Sequence, residues 1–244
     1  MRHLKYSLLT ITLIAIVIYQ EWPQEEVTQA SQSSGLKTRD YKTARTLFWK
    51  KIYSRHAVSL YCGEKIPSPH GKGYNVEHIF PMSWVTKALH CGTRKQCRKT
   101  SVMFNKIEAD MHNLYPTRSD TNADRSSFRF GEIAGEARRY GSQCDFEVDQ
   151  HKRIAEPRPE VRGEVARAMF YMARQYQSEG LKIFPRQAKL LTGWHNADPP
   201  DDAERQRNFL INKLQGNANP FIEKPENLDF LLKNGFFETT NLGN

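Results

Sequence analysis

The sequence lacks an apolar run long enough for a comfortable transmembrane helix, which needs about 20 residues. The N-terminal run of apolar and hydroxyl residues, Tyr6 to Tyr19, has 14 residues and follows Arg2 and Lys5. This pattern is typical of a secretory signal peptide. The nearest approach to a small-x-small cleavage pattern, residues 28–30 (Thr-Gln-Ala), lies well beyond the run. An uncleaved signal-anchor is therefore the alternative, and both hypotheses place the remaining chain outside the reducing cytosol.

Cysteine is also scarce: there are 4, and no two of them have the C-x-x-C spacing of common zinc sites. An even number in an apparently exported chain predicts two disulfides. Cys91 and Cys97 are close enough in sequence to close a small loop, which leaves Cys62 to pair with Cys144. A zinc site made of His90, Cys91 and Cys97 is the alternative, and we rank it lower.

Internal repeats are absent, and acidic residues are the minority charge. The chain has 36 Lys and Arg against 27 Asp and Glu, a formal net charge of +9. Such a surplus favours a polyanionic partner: nucleic acid, an anionic membrane or a polysaccharide. The hydrophobic fraction of 39% is enough for a packed core and argues against wholesale disorder.

The chain divides into four segments by composition. Residues 1–30 form the signal peptide or signal-anchor, 31–39 a polar linker, 40–225 one domain and 226–244 a tail. Apolar periodicity predicts a helix near Tyr41 and helical structure from Pro159 onward.

More local patterns predict the remaining elements of the domain. Two further helices are expected at about 185–195 and 201–215, the second capped by Asp201. Short strands are expected at 57–61 and 74–80, and a long loop at 87–106. The predicted fold class is α+β, with much helix and little strand.

The first candidate motif is the adjacent pair Glu77-His78 in an otherwise apolar, strand-like stretch. Burying both groups without use is costly, so they share a partner, face solvent or form a site. Neighbours on a regular strand point to opposite faces. Both can therefore serve one site only at a strand end or bulge, and Pro81, three residues after His78, indicates a strand end.

The second candidate is the long segment between Glu77 and Glu108, which contains no acidic residue. Any one of its basic residues is more readily explained as solvated surface, but the cluster predicts a surface that contacts phosphate backbone. If Cys91 and Cys97 pair, Arg94 lies at the tip of a constrained loop and can meet a phosphate bidentately. The cluster consists of Lys87, Arg94, Lys95, Arg98, Lys99 and Lys106.

The third candidate is residues 108–128, which are rich in groups that bind hard cations or phosphates. One Asn and one Glu can hold a largely hydrated magnesium ion. His112 and Asn113 are more readily explained as a hydrogen-bonding turn than as catalytic residues. Asn122, next to Asp124 and Arg125, is alternatively a helix cap.

Four ordered blocks in this region resemble the bacterial endonuclease I family, whose members are periplasmic or secreted non-specific nucleases with a ββα-metal active site. The resemblance covers roughly residues 40–223, and several ordered blocks are more specific than any single motif. The blocks are Val-Glu-His-Ile-Phe-Pro (76–81), Cys-Gly-Thr-Arg-Lys-Gln-Cys (91–97), Glu-Ala-Asp-Met-His-Asn-Leu-Tyr-Pro (108–116) and Asn-Ala-Asp-Arg-Ser-Ser-Phe (122–128).

The resemblance implies a fold and a set of roles. It implies a small antiparallel sheet that carries the catalytic motif, with Glu77 and Asn122 as ligands of one divalent ion, Mg²⁺ being the first candidate. His78 is then the general base, and Arg94 binds the scissile phosphate or the product. Glu108, His112 and Asn113 would support the site. The expected nucleic-acid contacts are Lys87, Lys95, Arg98, Lys99, Lys106 and Arg125.

Two departures from the family pattern fall beside these positions. Glu64 replaces a cysteine that follows Tyr-Cys-Gly in the family, and a later Cys-Gly block is absent. The resemblance implies that these two family cysteines pair with each other, so their joint loss agrees with a Cys62–Cys144 disulfide. Val76 replaces a tryptophan that many relatives have before the Glu-His pair.

These features together predict an exported, metal-dependent endonuclease that cuts DNA with little sequence preference and leaves 5′-phosphate and 3′-hydroxyl ends. RNA is a second candidate substrate. The protein is expected to be a periplasmic or secreted monomer without an obligate protein partner. Membrane contact is expected only if the N-terminal segment stays uncleaved. The alternative function is a non-catalytic, exported DNA-binding or uptake protein on a degenerate nuclease fold.

Overall fold

The structure, a computed structural model, describes residues 40–54, 57–67, 71–135 and 137–229. The predicted signal segment, the linker and most of the C-terminal tail lie outside these residues. The described α-helices are α1 (Tyr41–Leu47), α2 (Met82–Ala88), α3 (Arg94–Thr100), α4 (Val102–Glu108), α5 (Ser119–Arg125), α6 (Arg162–Gln175), α7 (Pro185–Ala197), α8 (Asp202–Gln215) and α9 (Pro220–Glu223). The described strands are β1 (Tyr74–His78), β2 (Leu114–Arg118), β3 (Arg129–Phe130), β4 (Glu147–Asp149) and β5 (Ile154–Glu156).

The predicted α+β class, with more helix than strand, is confirmed. Asp40 caps α1 by accepting from Thr43 N, and α1 continues as a π-helical turn to Ile52. The predicted helices near 185–195 and 201–215 are α7 and α8, and Asp201 caps α8 through Glu204 N. Among the described residues, no helix combines the length and apolar character needed to span a membrane.

Two stretches of the sequence-based prediction were wrong. Residues 57–61 form no strand: Val58 makes a single bridge to Lys65, and a turn follows. The stretch 87–106 is largely helical rather than a loop. α3 starts with a capping box between Thr93 and Gln96, and Ser101 caps α4. Both helices have only 7 residues: α3 buries Cys97 alone, and α4 buries Phe104, Ile107 and Glu108, so neither has enough apolar positions to establish a helical period.

β1 and β2 pair antiparallel, with Asn75 opposite Thr117 and His78 opposite Leu114. α5 begins directly after β2, so two antiparallel strands and a helix form one compact unit. A second sheet has the order β3-β5-β4, in which β3 and β5 are parallel and β4 and β5 antiparallel.

The main core is organised around α6, whose residues from Val165 to Ala173 are all buried. Gly163, in its first turn, lies so close to the end of α7 that an added Cβ would collide with the Asp198 carbonyl oxygen. Its amide N–H donates to the Asp198 carboxylate at 2.8 Å. A second cluster of buried side chains, which includes Phe48, Val76 and Ile211, lies around α1 and β1. β1 therefore packs against this cluster through Val76 and the half-buried Tyr74.

Both predicted disulfides are present. Cys62 pairs with Cys144 across 82 residues, and Cys91 pairs with Cys97 across 6. The described residues contain no free cysteine, which removes the alternative zinc site at Cys91 and Cys97.

The two disulfides should contribute unequally to stability. In the chain-entropy model, closing a loop of 82 residues is worth about 4.5 kcal/mol and closing one of 6 about 2 kcal/mol. We therefore expect replacement of Cys62 and Cys144 by alanine to lower the free energy of unfolding about twice as much as replacement of Cys91 and Cys97. Urea titration of the two double variants measures this, and equal losses would contradict the entropic account.

Candidate active site

A cleft of about 340 Å³ opens where β1 ends, beside α2 and α5. Of the residues predicted for the site, the cleft brings together Glu77, His78, Arg94 and Asn122, with Arg125 in its wall. β1 ends at His78, so the adjacent pair stands at a strand end, as its shared use requires.

Glu77 is buried, with 3% of its surface exposed. Its carboxylate accepts from the Tyr61 hydroxyl at 2.7 Å and from the His78 amide at 3.1 Å, and it pairs with Arg125 at 3.1 Å. Burial raises the pKa of Glu77, and Arg125 and the Tyr61 hydrogen bond oppose that rise. The carboxylate therefore stands at the cleft wall in a setting where additional positive charge is favourable.

The His78 ring has a defined tautomer. Its Nε2 lies 3.0 Å from the Glu108 carbonyl oxygen. A carbonyl only accepts, so Nε2 carries the hydrogen and Nδ1 keeps the lone pair. Burial, with the neighbouring Arg94 charge, lowers the pKa of His78 to about 4. The imidazole is therefore neutral at physiological pH.

Arg94 differs from its prediction in one respect: it is the first residue of α3 and not the tip of a loop. Its Nε donates to Glu108 at 2.5 Å, and Arg98, one helical turn later, donates to the same carboxylate at 2.7 Å. Burial alone would raise the pKa of Glu108, but the hydrogen bonds from Arg98 and Arg94 outweigh it and lower that pKa. Glu108 is therefore an anion that aims two guanidinium groups, of which Arg94 reaches the cleft.

Asn122 lies inside α5 and not at its start, so the alternative that it caps the helix was wrong. Its Nδ2 donates to Asn75 Oδ1 at 2.7 Å and to the Val76 carbonyl at 3.3 Å. Because both amide hydrogens have acceptors in β1, the side-chain oxygen is the atom that remains for a ligand. Asn75 is thus a positioning residue for Asn122.

Arg125 is not the surface contact that the sequence predicted. Its side chain is 1% exposed and donates to the carbonyl oxygens of His78 and Ile79 while pairing with Glu77. Its guanidinium also lies over the Phe130 ring, 4.6 Å from the centroid. A guanidinium held in this way fixes the end of β1 and is not available to contact the phosphates of a nucleic acid.

The other predicted nucleic-acid contacts are exposed at the surface: Lys87, Lys95, Arg98, Lys99 and Lys106. None of them lines the cleft, so any role in binding concerns flanking phosphates.

His112 and Asn113 are structural residues, in line with the simpler explanation of that turn. The side chain of Asn113 extends the hydrogen bonding beyond the end of β1. Its Oδ1 accepts from Phe80 N at 2.6 Å, and its Nδ2 donates to Phe80 O at 3.0 Å. His112 Nε2 is 3.0 Å from the Asn217 carbonyl oxygen, and burial lowers the pKa of His112 to about 4. Neither residue lines the cleft.

The sequence-based prediction missed two residues that contact the site. Tyr61 holds Glu77, and its only signal was the Tyr-Cys-Gly block at 61–63. Tyr41 packs on His78 with ring centroids 5.2 Å apart and had been assigned only to a helix face. Within the described residues there is no group of three or more His, Cys, Asp or Glu side chains arranged to hold a metal ion. Any cation here would depend on the mixed Glu77–Asn122 pair, whose oxygens suit a hard ion that keeps most of its waters.

The family model for Endonuclease I matches residues 9–226. The chain belongs to the endonuclease I family, a class of nucleases. An extracellular deoxyribonuclease of Aeromonas hydrophila is 38% identical over 198 residues, covering 71% of this chain and 84% of the relative. A periplasmic deoxyribonuclease of the same organism is 39% identical, covering 71% and 81%. Endonuclease-1 of Buchnera aphidicola (subsp. Acyrthosiphon pisum, strain APS) is 30% identical over 197 residues, covering 71% and 77%.

Arg125, through its contacts with Glu77 and with the carbonyl oxygens of His78 and Ile79 (the Arg125 clamp), should be essential for stability. Arg125→Met leaves the Glu77 carboxylate and two carbonyl oxygens buried without their cation, and breaking such a pair costs about 3–5 kcal/mol. Arg139→Met is a matched control, because Arg139 pairs with Asp124 of the same helix at 3.4 Å but is 62% exposed. It should cost at most about 1 kcal/mol. Urea unfolding of both variants makes the comparison, and similar losses would argue against the clamp.

Buried neutral histidines should make the fold acid-sensitive. The folded pKa values of His78 and His112 are about 4, below the ordinary value of 6.5. The unfolded chain therefore binds these protons first, and the free energy of unfolding should fall as the pH drops from about 6.5 to about 4. Each histidine should contribute about 1–2 kcal/mol of this loss between pH 7 and pH 5.

His112→Gln isolates one of these terms, because its stability should change less between pH 7 and pH 5 than that of the wild type. His151→Gln, at an exposed position, serves as the control and should keep the wild-type pH dependence. Identical slopes for all three proteins would rule out His112 as a source of acid sensitivity.

Proposed function

We propose that this protein is an exported endonuclease that hydrolyses phosphodiester bonds in DNA with the help of a divalent cation. The observation that carries the proposal is the meeting of Glu77, His78, Arg94 and Asn122 in one cleft at the end of β1. The β1-β2-α5 unit has the element order of a ββα-metal motif, and we assign it that role. Membership of the endonuclease I family and the names of the relatives support the same assignment.

Each side chain has a separate task in this proposal. Glu77 and Asn122 would hold the cation, for which Mg²⁺ is the first candidate. When bound, the cation supplies positive charge that offsets the charge developing on the phosphate and on the leaving oxygen. His78 accepts a proton from the attacking water at Nδ1, which is free because Nε2 is bonded to Glu108. Arg94 neutralises a non-bridging phosphate oxygen.

The expected products have 5′-phosphate and 3′-hydroxyl ends. The exposed lysines and Arg98 near the cleft suit contacts to the backbone and not to base edges, so we expect little sequence preference. Bacillus subtilis has a relative named extracellular ribonuclease, 34% identical over 133 residues, which keeps RNA as a second candidate substrate. The names "extracellular" and "periplasmic" among the relatives support export.

A non-catalytic DNA-binding protein is the rival function, and the joint presence of Glu77, His78 and Asn122 in one cleft argues against it. Binding alone needs positive charge and has no use for a carboxylate, an amide oxygen and an imidazole brought together beside Arg94.

The decisive experiment measures plasmid and RNA cleavage by the purified protein with Mg²⁺ and with chelator. His78→Ala should lower the cleavage rate about 10²–10⁴-fold, since a general base typically contributes that much. His151→Ala, at an exposed position away from the cleft, should retain wild-type activity. Nucleic-acid binding should survive in both variants, and unchanged cleavage by His78→Ala would refute its role as base.

The cation is tested separately through Glu77→Gln. This variant should need a higher Mg²⁺ concentration and lose most activity, while Glu160→Gln, altered at a 68% exposed side chain, should behave as wild type. Full activity of the wild-type protein after exhaustive chelation would exclude the metal-dependent mechanism.

A further inference from the structure

A second groove, with a volume of about 390 Å³, borders α2 and is lined by other residues of that helix than those that line the active-site cleft. We call it the Phe184 groove. Its walls combine apolar rings with two lysines, and no acidic residue lines it. The residues that matter are Phe80, Trp84, Lys87, Lys182 and Phe184.

The geometry of α2 ties this groove to the cleft. Ser83 and Thr86 line the cleft, whereas Trp84 and Lys87 line the groove. At 100° per residue the centres of these two pairs lie about 100° apart around the helix axis, and Val85 is buried on the remaining face. A helix is about 10 Å across, which corresponds to roughly three nucleotide steps of a strand in B-DNA. A strand held in the cleft can therefore reach the groove within a few nucleotides.

Phe184 is unusual because it exposes a large aromatic ring, with 50% of its surface accessible. The segment before it alternates: Leu181 and Ile183 are buried, whereas Lys182 and Phe184 face outward. Pro185 follows and keeps Phe184 extended, at φ −69° and ψ 150°. The ring is therefore presented from a fixed backbone, which lowers the entropic cost of using it for binding.

The charges of the groove identify the class of ligand. Lys182 Nζ lies 5.8 Å from the centre of the Phe184 ring, and Lys87 stands on the opposite wall. An occupant must therefore present a flat apolar face and negative charge together. Nucleotides have both, since every base has a π-face and every linkage a phosphate.

From this arrangement we propose that the Phe184 groove is a subsite that stacks an unpaired base of the substrate strand, with Lys87 and Lys182 on its flanking phosphates. The inference rests on the proposed nuclease function and adds a preference for single-stranded or distorted nucleic acid at that position. Phe184 would be a binding residue and not a catalytic one, because it does not line the cleft.

The chain offers a matched control in Phe209 on α8. Its ring is 51% exposed and lies 4.4 Å from Lys213 Nζ, so it reproduces the exposed ring and its lysine outside the groove. Binding of a short single-stranded DNA is measured by fluorescence anisotropy in chelator, with the wild type, Phe184→Ala, Phe184→Tyr and Phe209→Ala. Phe184→Ala should raise Kd at least about 5-fold, the lower end of base-stacking effects. Phe184→Tyr and Phe209→Ala should match the wild type.

An abasic scan provides the sharper readout. One base at a time is removed along a DNA trimmed to the shortest length that keeps wild-type affinity, so that it binds in one register; each removal deletes stacking and leaves the phosphates. Wild-type affinity should drop at one position, and that drop should disappear in Phe184→Ala. Lys182→Ala should instead lower the salt slope of binding by about 0.7, as loss of one phosphate contact predicts.

Two results would overturn the subsite. One is an equal effect of Phe184→Ala and Phe209→Ala, and the other is an abasic profile that Phe184→Ala leaves unchanged. If the wild type cuts plasmid with Mg²⁺ while either result is obtained, the subsite fails and the nuclease function stands. A wild type that neither binds nor cuts nucleic acid would refute both.

Discussion

The candidate site depends on how a β-strand can offer two successive side chains to one cleft. Regular strands send neighbours to opposite faces. Here β1 ends at His78, and its end is held on two sides by buried groups. Arg125 binds the carbonyl oxygens of His78 and Ile79, and Asn113 binds the backbone of Phe80. Without these contacts, the backbone after His78 would lose the partners that hold Glu77 and His78 at a common opening.

Contacts between buried groups also fix the charges around the cleft. Glu77 has one fixed cation in Arg125, and Glu108 directs two arginines while its backbone carbonyl orients His78. One residue therefore positions both Arg94, the proposed phosphate-binding group, and His78, the proposed base, through different atoms. The result is a cleft lined by a neutral imidazole, a carboxylate and the guanidinium of Arg94, a combination that suits an anionic substrate and a proton transfer.

The sequence predicted the parts of this arrangement that depend on local pattern. Helical periodicity located α7 and α8, cysteine spacing gave both disulfides, and the resemblance brought Glu77, His78, Arg94 and Asn122 into one hypothesis. It could not reveal α3 and α4, because each has only 7 residues and too few buried apolar positions (Cys97 in α3, Phe104 and Ile107 in α4) to establish a helical period. Nor could it separate Arg125 from the surface cations, because an arginine gives no sign in the sequence of whether its partners are buried carbonyls or solvent.

The contacts of Asn113 also limit how the chain length can vary. A residue inserted between His78 and Pro81 would shift Phe80 away from Asn113 and Ile79 away from Arg125, and the strand end would lose both supports at once. By contrast, the stretch from 131 to 143 joins β3 to Cys144 outside the cleft lining and carries three glycines. Natural length variation should therefore be concentrated there, and the number of residues from Glu77 to Pro81 should be fixed wherever the activity is kept.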